Sequence, residues 1–503
     1  MIINETSRCL VLPTSKSAQK TKVYIKSGGR LLIDLDVQVD FENPETVFYY
    51  DLSRFNGLDV EVSHESGKSF GFSALPAAPV GDSLRPKLHF TAKNGWLNDP
   101  NGLCRYEGRC HLFFQHNPVG LQWGNMHWGH AVGDDLIHWE ECGDVLFPDE
   151  DGDMYSGSAI VDTDNLLGLK ENEHDPLILF YTSAGGNREV SAGRKYTQCI
   201  AYSTDGGSTF KKWKNNPVVD HIKGCNRDPK VVRDPESGIY IMALYLDGDE
   251  YALLTSSDLA DWKLIQTIPL MGDNECPDFF PLSDGTGKLK WVLCGAHDCA
   301  LIGDFDPERG LVNTGDVQKF GFGKPYAAQS FNLGGELRRV RIAWNRFTAV
   351  PSKNFNCELG IPCEVTLQGG KLRLAPIGEL ESCFTEIQNS EKLPSHGISR
   401  NITLPCDITL ELSESEEPVR IVICGNELKL DAAGILTVNG SDSMPLRLCD
   451  GRAMLRIIAD SIGIEVFDLS GLTYGAFETI PNGELLTIGG EGSLDKMSVR
   501  EIR

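Results

Sequence analysis

Three short stretches place a carboxylate in a stiff, irregular backbone. GWLNDPNG (95–102) carries Asp99 directly before Pro100. Proline fixes its own backbone and pushes the preceding residue to an extended conformation, and Asn101-Gly102 is a tight-turn dipeptide. This predicts a rigid Asp99 at a strand end, beside Trp96. CNRDPKVV (225–232) repeats the Asp-Pro pair, with Arg227 in front of Asp228. A neighbouring guanidinium lowers a carboxyl pKa, so Asp228 is expected to stay ionised. DNECPDFFPL (273–282) sets Glu275 among Cys276, Pro277, Phe279 and Phe280. A carboxyl beside apolar groups tends to hold its proton, which suits a general acid. Taken singly, each of these is also an ordinary turn or surface carboxylate. Together they have a chemistry: one ionised and one protonated carboxyl are the minimum for cleaving a glycosidic bond, and a third can stabilise positive charge.

Bringing three turns together needs elements that converge. Runs such as HLFFQHNP, LILFYTSA, IYIMALYL, KWVLCGAH and RRVRIAWN are short, rich in aromatic and β-branched residues, and separated by turn clusters. Between about 86 and 375 no run of 12 or more residues has a helical period. The fold class predicted is all-β. DDLIHWEE (134–141), STDGGSTFKKW (203–213) and SSDLADWKL (256–264) share a strand, turn and Trp pattern. Such a repeat suggests radially arranged sheets, the blades of a propeller, with Trp139, Trp213 and Trp262 packing between blades. Residues 1–80 alternate like a small extra β-domain, and ALPAAPVGDSLRP reads as a linker to the next. From 385 to 503 the chain loses its tryptophans and alternates again, as in a small antiparallel sandwich. LRLAPIGELESCF, between the two, suggests a helical turn.

Composition excludes several classes. The chain has 503 residues, 41% of them apolar, enough for a large core and more than one domain. Lys and Arg total 47 against 71 Asp and Glu, a formal charge of -24. Such a surface repels nucleic acid and anionic membranes, and favours a neutral or cationic ligand. No apolar run reaches membrane-spanning length. The start, MIINETSRCL, lacks the pattern of a secretory signal. The 15 cysteines include no C-x-x-C pair, and many sit in apolar runs such as WVLCGA and IVICGN. They read as reduced, mostly buried thiols of a cytoplasmic protein, with a tetrahedral zinc site the alternative.

These blocks resemble those of glycoside hydrolase family 32, the invertase, levanase, inulinase and fructosidase family. WLNDPNG resembles its WMNDPNG block with Leu97 in place of Met. RDP at 227–229 and EC at 275–276 match two further blocks, and HLFFQHNPVGLQWGNMHWGHAVGDDLIHWEE (111–141) follows the segment after the nucleophile. YSGSA (155–159) has Tyr155 where the family has Phe, and PYAAQSF and RRVRIAWNRF resemble late segments. The resemblance implies a five-bladed β-propeller over 86–377, followed by the C-terminal β-sandwich. It implies Asp99 as nucleophile, Glu275 as acid/base and Asp228 as transition-state stabiliser. Asn98, Gln115, Trp123, Ser156 and Arg227 match positions lining a fructose subsite, and Trp344 is a further candidate for its wall. Trp96 and Trp123 offer flat faces for a sugar ring or, alternatively, for core packing. No metal or organic cofactor is implied. The ligand expected is a small neutral fructose-containing saccharide, cleaved with retention by hydrolysis. Transfer of the fructosyl group to a sugar acceptor is the alternative, and a non-catalytic carbohydrate-binding propeller is a third. The N-terminal segment departs from the family's commonest layout; packing on the propeller, or homo-oligomerisation through the flanking β-domains, is expected of it.

Overall fold

A computed structural model describes residues 1–76, 81–333, 338–390, 397–413, 418–447, 452–489 and 494–502. Part of the expected linker, 77–80, lies outside the described residues. Among those described, helix is confined to two 3-10 segments, Ser53–Phe55 and Gly378–Cys383, the second where a helical turn was expected.

Five antiparallel sheets follow one another along the chain. They begin with the strands Gly95–Tyr106, Asp153–Val161, Arg227–Arg233, Asp278–Ser283 and Pro325–Ser330. Each of these leading strands packs beside the next, and the fifth returns to pack beside the first. That closed ring of leading strands is the arrangement of a propeller, and five sheets is the number its blades require. Phe355–Asn356 comes back to pair in parallel with Gly95–Trp96, fastening the ring. Central strands such as Leu177–Ala184 are buried on both faces, which is why they read as unbroken apolar runs. The repeated tryptophans do pack between sheets. Trp139 stacks on Phe331, and Trp262 meets Phe180 edge-on. Among the described residues Cys104, Cys199, Cys276, Cys294 and Cys406 are thiols outside any disulfide.

The flanks are separate layers. Residues 9–73 form two three-stranded sheets around their own core. Val119 and Leu121 of the first propeller sheet's loop insert into that core, so the N-terminal sheets pack on the propeller. The C-terminal residues form a six-stranded sheet and six strands of a second, whose seventh is Gly321–Gly323; its parallel pairing with Tyr474–Glu478 joins them to the ring.

That C-terminal junction contains a buried charge cluster. His89 Nδ1 lies 3.2 Å from Asp460 Oδ2, and Nε2 lies 3.1 Å from Glu465 Oε2 and 3.9 Å from Glu358 Oε1. Asn345 donates to Glu358 and Glu465, and the backbone N–H groups of Lys87, Leu88 and His89 converge on Asp460. Burial works against the His89 charge, but Glu358, Asp460 and Glu465 outweigh it and hold the imidazole well above its usual pKa. Burial pushes Glu358 up to about 8. Both groups therefore bind protons more tightly in the fold than in the unfolded chain. The stability His89 contributes is complete below its ordinary pKa and is lost as pH rises through its raised value. Glu358 costs stability over the climb from the usual carboxylate range to about 8. Thermal midpoints should fall between about pH 6 and about pH 9, and Glu358→Gln should flatten that fall. An equally steep decline in the variant would mean that the cluster does not set it.

Candidate active site

The leading strands are irregular at one level. Register shifts fall between Leu97 and Pro100, Tyr155 and Gly157, Arg227 and Lys230, and Tyr326 and Gln329. A bulge leaves a residue unpaired and re-aims its side chain. Here the residues released are Asn98-Asp99, Ser156, Asp228-Pro229 and Ala327-Ala328. Asp99 is thus not at a strand end, as its local sequence predicts. It lies inside the twelve-residue strand Gly95–Tyr106, where bulges absorb the proline and the Asn-Gly pair. Asp228 (φ 64°), Glu275 (φ 55°), Cys276 (φ 37°) and Ala327 (φ 49°) are all left-handed. Each costs about 1 kcal/mol or more for a residue with a Cβ. Gly157 is needed for a different reason: a side chain there would collide with the Phe180 carbonyl.

The irregular backbone sets three carboxylates around one thiol. Ser156 Oγ donates to Asp99 Oδ2 at 2.5 Å, and Cys276 Sγ lies 3.4 Å from the same oxygen. Cys276 Sγ is also 3.5 Å from Asp228 Oδ2, and its N–H donates to that oxygen at 3.1 Å. Arg227 Nη2 donates to Glu275 Oε1 at 2.6 Å, while its Nε lies 3.6 Å from Asp228 Oδ2. Tyr326 Oη donates to Glu275 Oε2 at 2.7 Å. The Arg227 guanidinium rests 4.6 Å above the Tyr245 ring.

Two expectations change. Asp228 does not have a depressed pKa. Burial raises it to about 7; Arg227 pulls it down, but Asp99 and Glu275 push it further up. Glu275 is not in apolar surroundings either, since Arg227 and Tyr326 reach its two oxygens. The phenylalanines that follow it in sequence point into the strand beyond. Burial also raises Asp99, against hydrogen bonds from Ser156 and Asn98. Burial and then the adjacent carboxylates hold the Cys276 thiol far above its usual pKa, so it remains a protonated donor.

A cavity of about 310 Å³ collects all nine residues singled out from the sequence. Asn98 takes a hydrogen bond from Trp96 Nε1 at 2.9 Å. Gln115 is anchored by donating to the Met154 carbonyl at 2.9 Å. Trp344 stands in the wall, edge-on to Trp96 and Tyr326. Trp123, 50% exposed, stands at the mouth against Tyr155. Trp96 does not line the cavity; it is core, and its role is to hold Asn98. Sequence reasoning missed Cys276, Tyr326, Tyr155, Tyr196 and Cys225 as lining residues. The EC and PYAAQSF blocks held the signal for the first two. Among the described residues no cluster of His, Cys, Asp and Glu is arranged as a metal site.

Comparison with known proteins agrees with this geometry. The family model described as Glycosyl hydrolases family 32 N-terminal domain matches residues 89–376. A levanase of Bacillus subtilis is 29% identical over 468 residues, 80% of this chain and 67% of its own length. An invertase of Schizosaccharomyces pombe is 35% identical over 324 residues, 58% of this chain and 55% of its own length. Two further curated matches span 48% and 15% of those proteins' own length. The crystal structure of an exo-inulinase from Aspergillus awamori superposes with a TM-score of 0.74 at 24% identity, covering 84% of this chain and 98% of that one. It shares the fold.

The raised Asp228 pKa has a stability consequence. The fold binds this proton more tightly than the unfolded chain, so stability is lost as pH climbs from the usual carboxylate range to about 7, and stays lost above. Asp228→Asn keeps an acceptor for the Cys276 N–H and removes the buried charge. Its thermal midpoint should exceed wild type by several degrees at about pH 8, and by less at about pH 5. A midpoint below wild type at the higher pH would show that Arg227 more than offsets the cost of burial.

Proposed function

The chain belongs to glycoside hydrolase family 32, and from that premise we propose that it releases fructose from the non-reducing β-fructofuranosyl end of sucrose or short fructo-oligosaccharides, with retention. One observation carries the reading: Asp99 and Asp228, from two leading strands, and Glu275, from the loop before a third, meet in one cavity with a single cation, Arg227. Asp99 attacks fructose C2 as the glycosidic C–O bond breaks, and Glu275 gives its proton to the departing oxygen. Water then attacks C2, Glu275 takes a proton from that water, and the bond to Asp99 breaks. The transition state resembles an oxocarbenium ion, so the surrounding carboxylates favour it over the neutral sugar. Asp228 accepts hydrogen bonds from fructosyl hydroxyls, which replace the water it loses.

Tyr326 and Arg227 serve both halves of the cycle. The Tyr326 hydroxyl can donate to Glu275 as a carboxylate and accept from it as an acid. Arg227 fixes the other oxygen. Ser156, Asn98 and the Cys276 thiol favour the anionic Asp99 needed for attack. A cavity of about 310 Å³ is at the small-molecule end of ligand sites and takes a chain end rather than a polymer. Its acidic lining suits a neutral sugar. The free thiols support action in a reducing, cytoplasmic compartment.

The test is free fructose from sucrose, 1-kestose, inulin and levan, by wild type and Asp99→Ala in parallel. Wild type should release fructose and rank the short substrates first, and Asp99→Ala should lose on the order of 10⁴-fold in rate. Glu275→Ala should accumulate a fructosyl-enzyme visible by mass spectrometry with an activated fructoside. A wild type silent on all four substrates rejects the reading. Glucose without matching fructose at high sucrose would favour transfer to sugar acceptors.

A further inference from the structure

The stretch matched by the family model begins at residue 89, so the two N-terminal sheets lie outside it. They meet the propeller at the aromatic mouth of the cavity. That mouth is built from two loops, 118–126 and 185–195. The first carries Trp123. The second carries Asn187, whose amide donates to Tyr155 Oη at 2.9 Å and Tyr196 Oη at 3.2 Å. Trp123, Tyr155 and Tyr196 meet edge to face in series. None of the three is held by the carboxylate cluster at the cavity floor.

Both loops are fastened to the strand Arg30–Val37 of the N-terminal sheets. Asn125 acts there like one more backbone unit: its Oδ1 accepts from Asp36 N–H at 2.9 Å, and its Nδ2 donates to the Asp36 carbonyl at 2.9 Å. Asp34, fully buried, accepts from Val190 N–H at 3.2 Å and from Lys22 at 2.8 Å. Tyr24 donates to Glu189 at 2.8 Å. Arg188, 4% exposed, joins everything. Its Nε donates to Asp153 Oδ1 at 2.6 Å, its Nη1 to the Asp34 carbonyl, and Nη1 and Nη2 reach Asn125 Oδ1 at 3.4 and 3.3 Å. Asp153 opens the strand that carries Tyr155 and Ser156.

We infer that Arg188 is a positioning residue through which the N-terminal sheets set the aromatic mouth, and with it the preference for the saccharide leaving group. The inference rests on the fructosidase reading and extends it. The floor carboxylates take the fructosyl ring, because they are the reacting groups; the half-exposed Trp123–Tyr155–Tyr196 wall is left for the sugar on the other side of the bond, which moves Trp123 from the fructose subsite implied by the resemblance to the leaving-group side. A wall of three rings has a fixed shape only if its loops do, and a buried guanidinium with four acceptor contacts in a fork is a rigid way to fix them. Arg188 touches no substrate, so its removal should alter recognition of a large leaving group more than the chemistry.

The experiment compares wild type, Arg188→Met, Arg188→Lys and Tyr24→Phe on 1-kestose, sucrose and methyl β-fructofuranoside, with amide hydrogen exchange on the same proteins. Arg188→Met should raise KM for 1-kestose by about tenfold, change KM for the methyl fructoside by less than about twofold, and keep kcat within about threefold on both. Arg188→Lys, which retains the charge beside Asp153 without the fork, should fall between. Exchange should rise in 118–126 and 185–196 and stay unchanged in 225–231. Equal KM changes on all substrates, or unchanged exchange in both loops, overturn the inference. Where Arg188→Met does not fold, Tyr24→Phe decides: a smaller rise of the same pattern supports it, and no change overturns it. A wild type inactive on every fructoside rejects the functional reading instead, and the exchange data still decide the positioning.

Discussion

Three carboxylates and one guanidinium share a cavity. Two unit charges about 5 Å apart at an effective dielectric near 20 repel by about 3 kcal/mol, and desolvation adds to that. The fold responds by supplying donors rather than cations. Ser156, the Cys276 thiol and its N–H, Arg227 and Tyr326 are distributed over the three acids. What remains uncompensated is visible in the raised pKa values of Asp99 and Asp228. A site arranged in this way has a surplus of negative potential where a sugar carbon becomes positive, so part of the transition-state stabilisation is present before substrate arrives.

The same constraint explains the backbone. A regular propeller strand points alternate side chains to the two faces of its sheet, not along the axis. Four bulges at one level turn Asp99, Ser156, Asp228 and Ala327 out of that alternation. The left-handed residues beside them, Asp228, Glu275, Cys276 and Ala327, hold the new direction. This strain is tolerated because the sheets around it are large and dry; Phe279, Phe280 and Phe331 are almost wholly buried next to it. Strain at Cys276 has a direct use, since that conformation turns both its N–H and its thiol toward Asp228.

What was legible in the sequence was local. Asp-Pro pairs, Asn-Gly and the Glu-Cys dipeptide mark places where the chain leaves regular geometry, and the apolar runs between them mark the strands. The three carboxylates so identified, and the six residues added by the family resemblance, line one cavity. What was not legible depends on residues distant in the chain. The Asp228 pKa is set first by burial, which outweighs the pull of its neighbour Arg227, and Asp99, 129 positions earlier, adds to the rise. The polar surroundings of Glu275 come from Arg227 and Tyr326, whereas its sequence neighbours are apolar. For Trp96 the sequence left a sugar platform and core packing both open, and alternation along the strand sends it to the core. The attachment of the first sheets to the mouth was invisible for the same reason: Asp36 and Asn125 become backbone-like partners only once both segments are folded.

The flanking layers divide the work by where they meet the ring. The C-terminal sheets join the ring through His89, Asp460, Glu465 and Glu358, a buried cluster none of whose members lines the cavity. Its charges secure two layers to each other. The N-terminal sheets join beside the mouth, and Arg188 connects them to a strand whose next residues are Tyr155 and Ser156. Ser156 in turn bonds Asp99. The floor is overdetermined by donors from several sheets, so small shifts at that edge are absorbed there; the mouth has only the two loops and their anchor. Variation in the N-terminal layer is therefore a route by which a fixed catalytic floor acquires a different mouth.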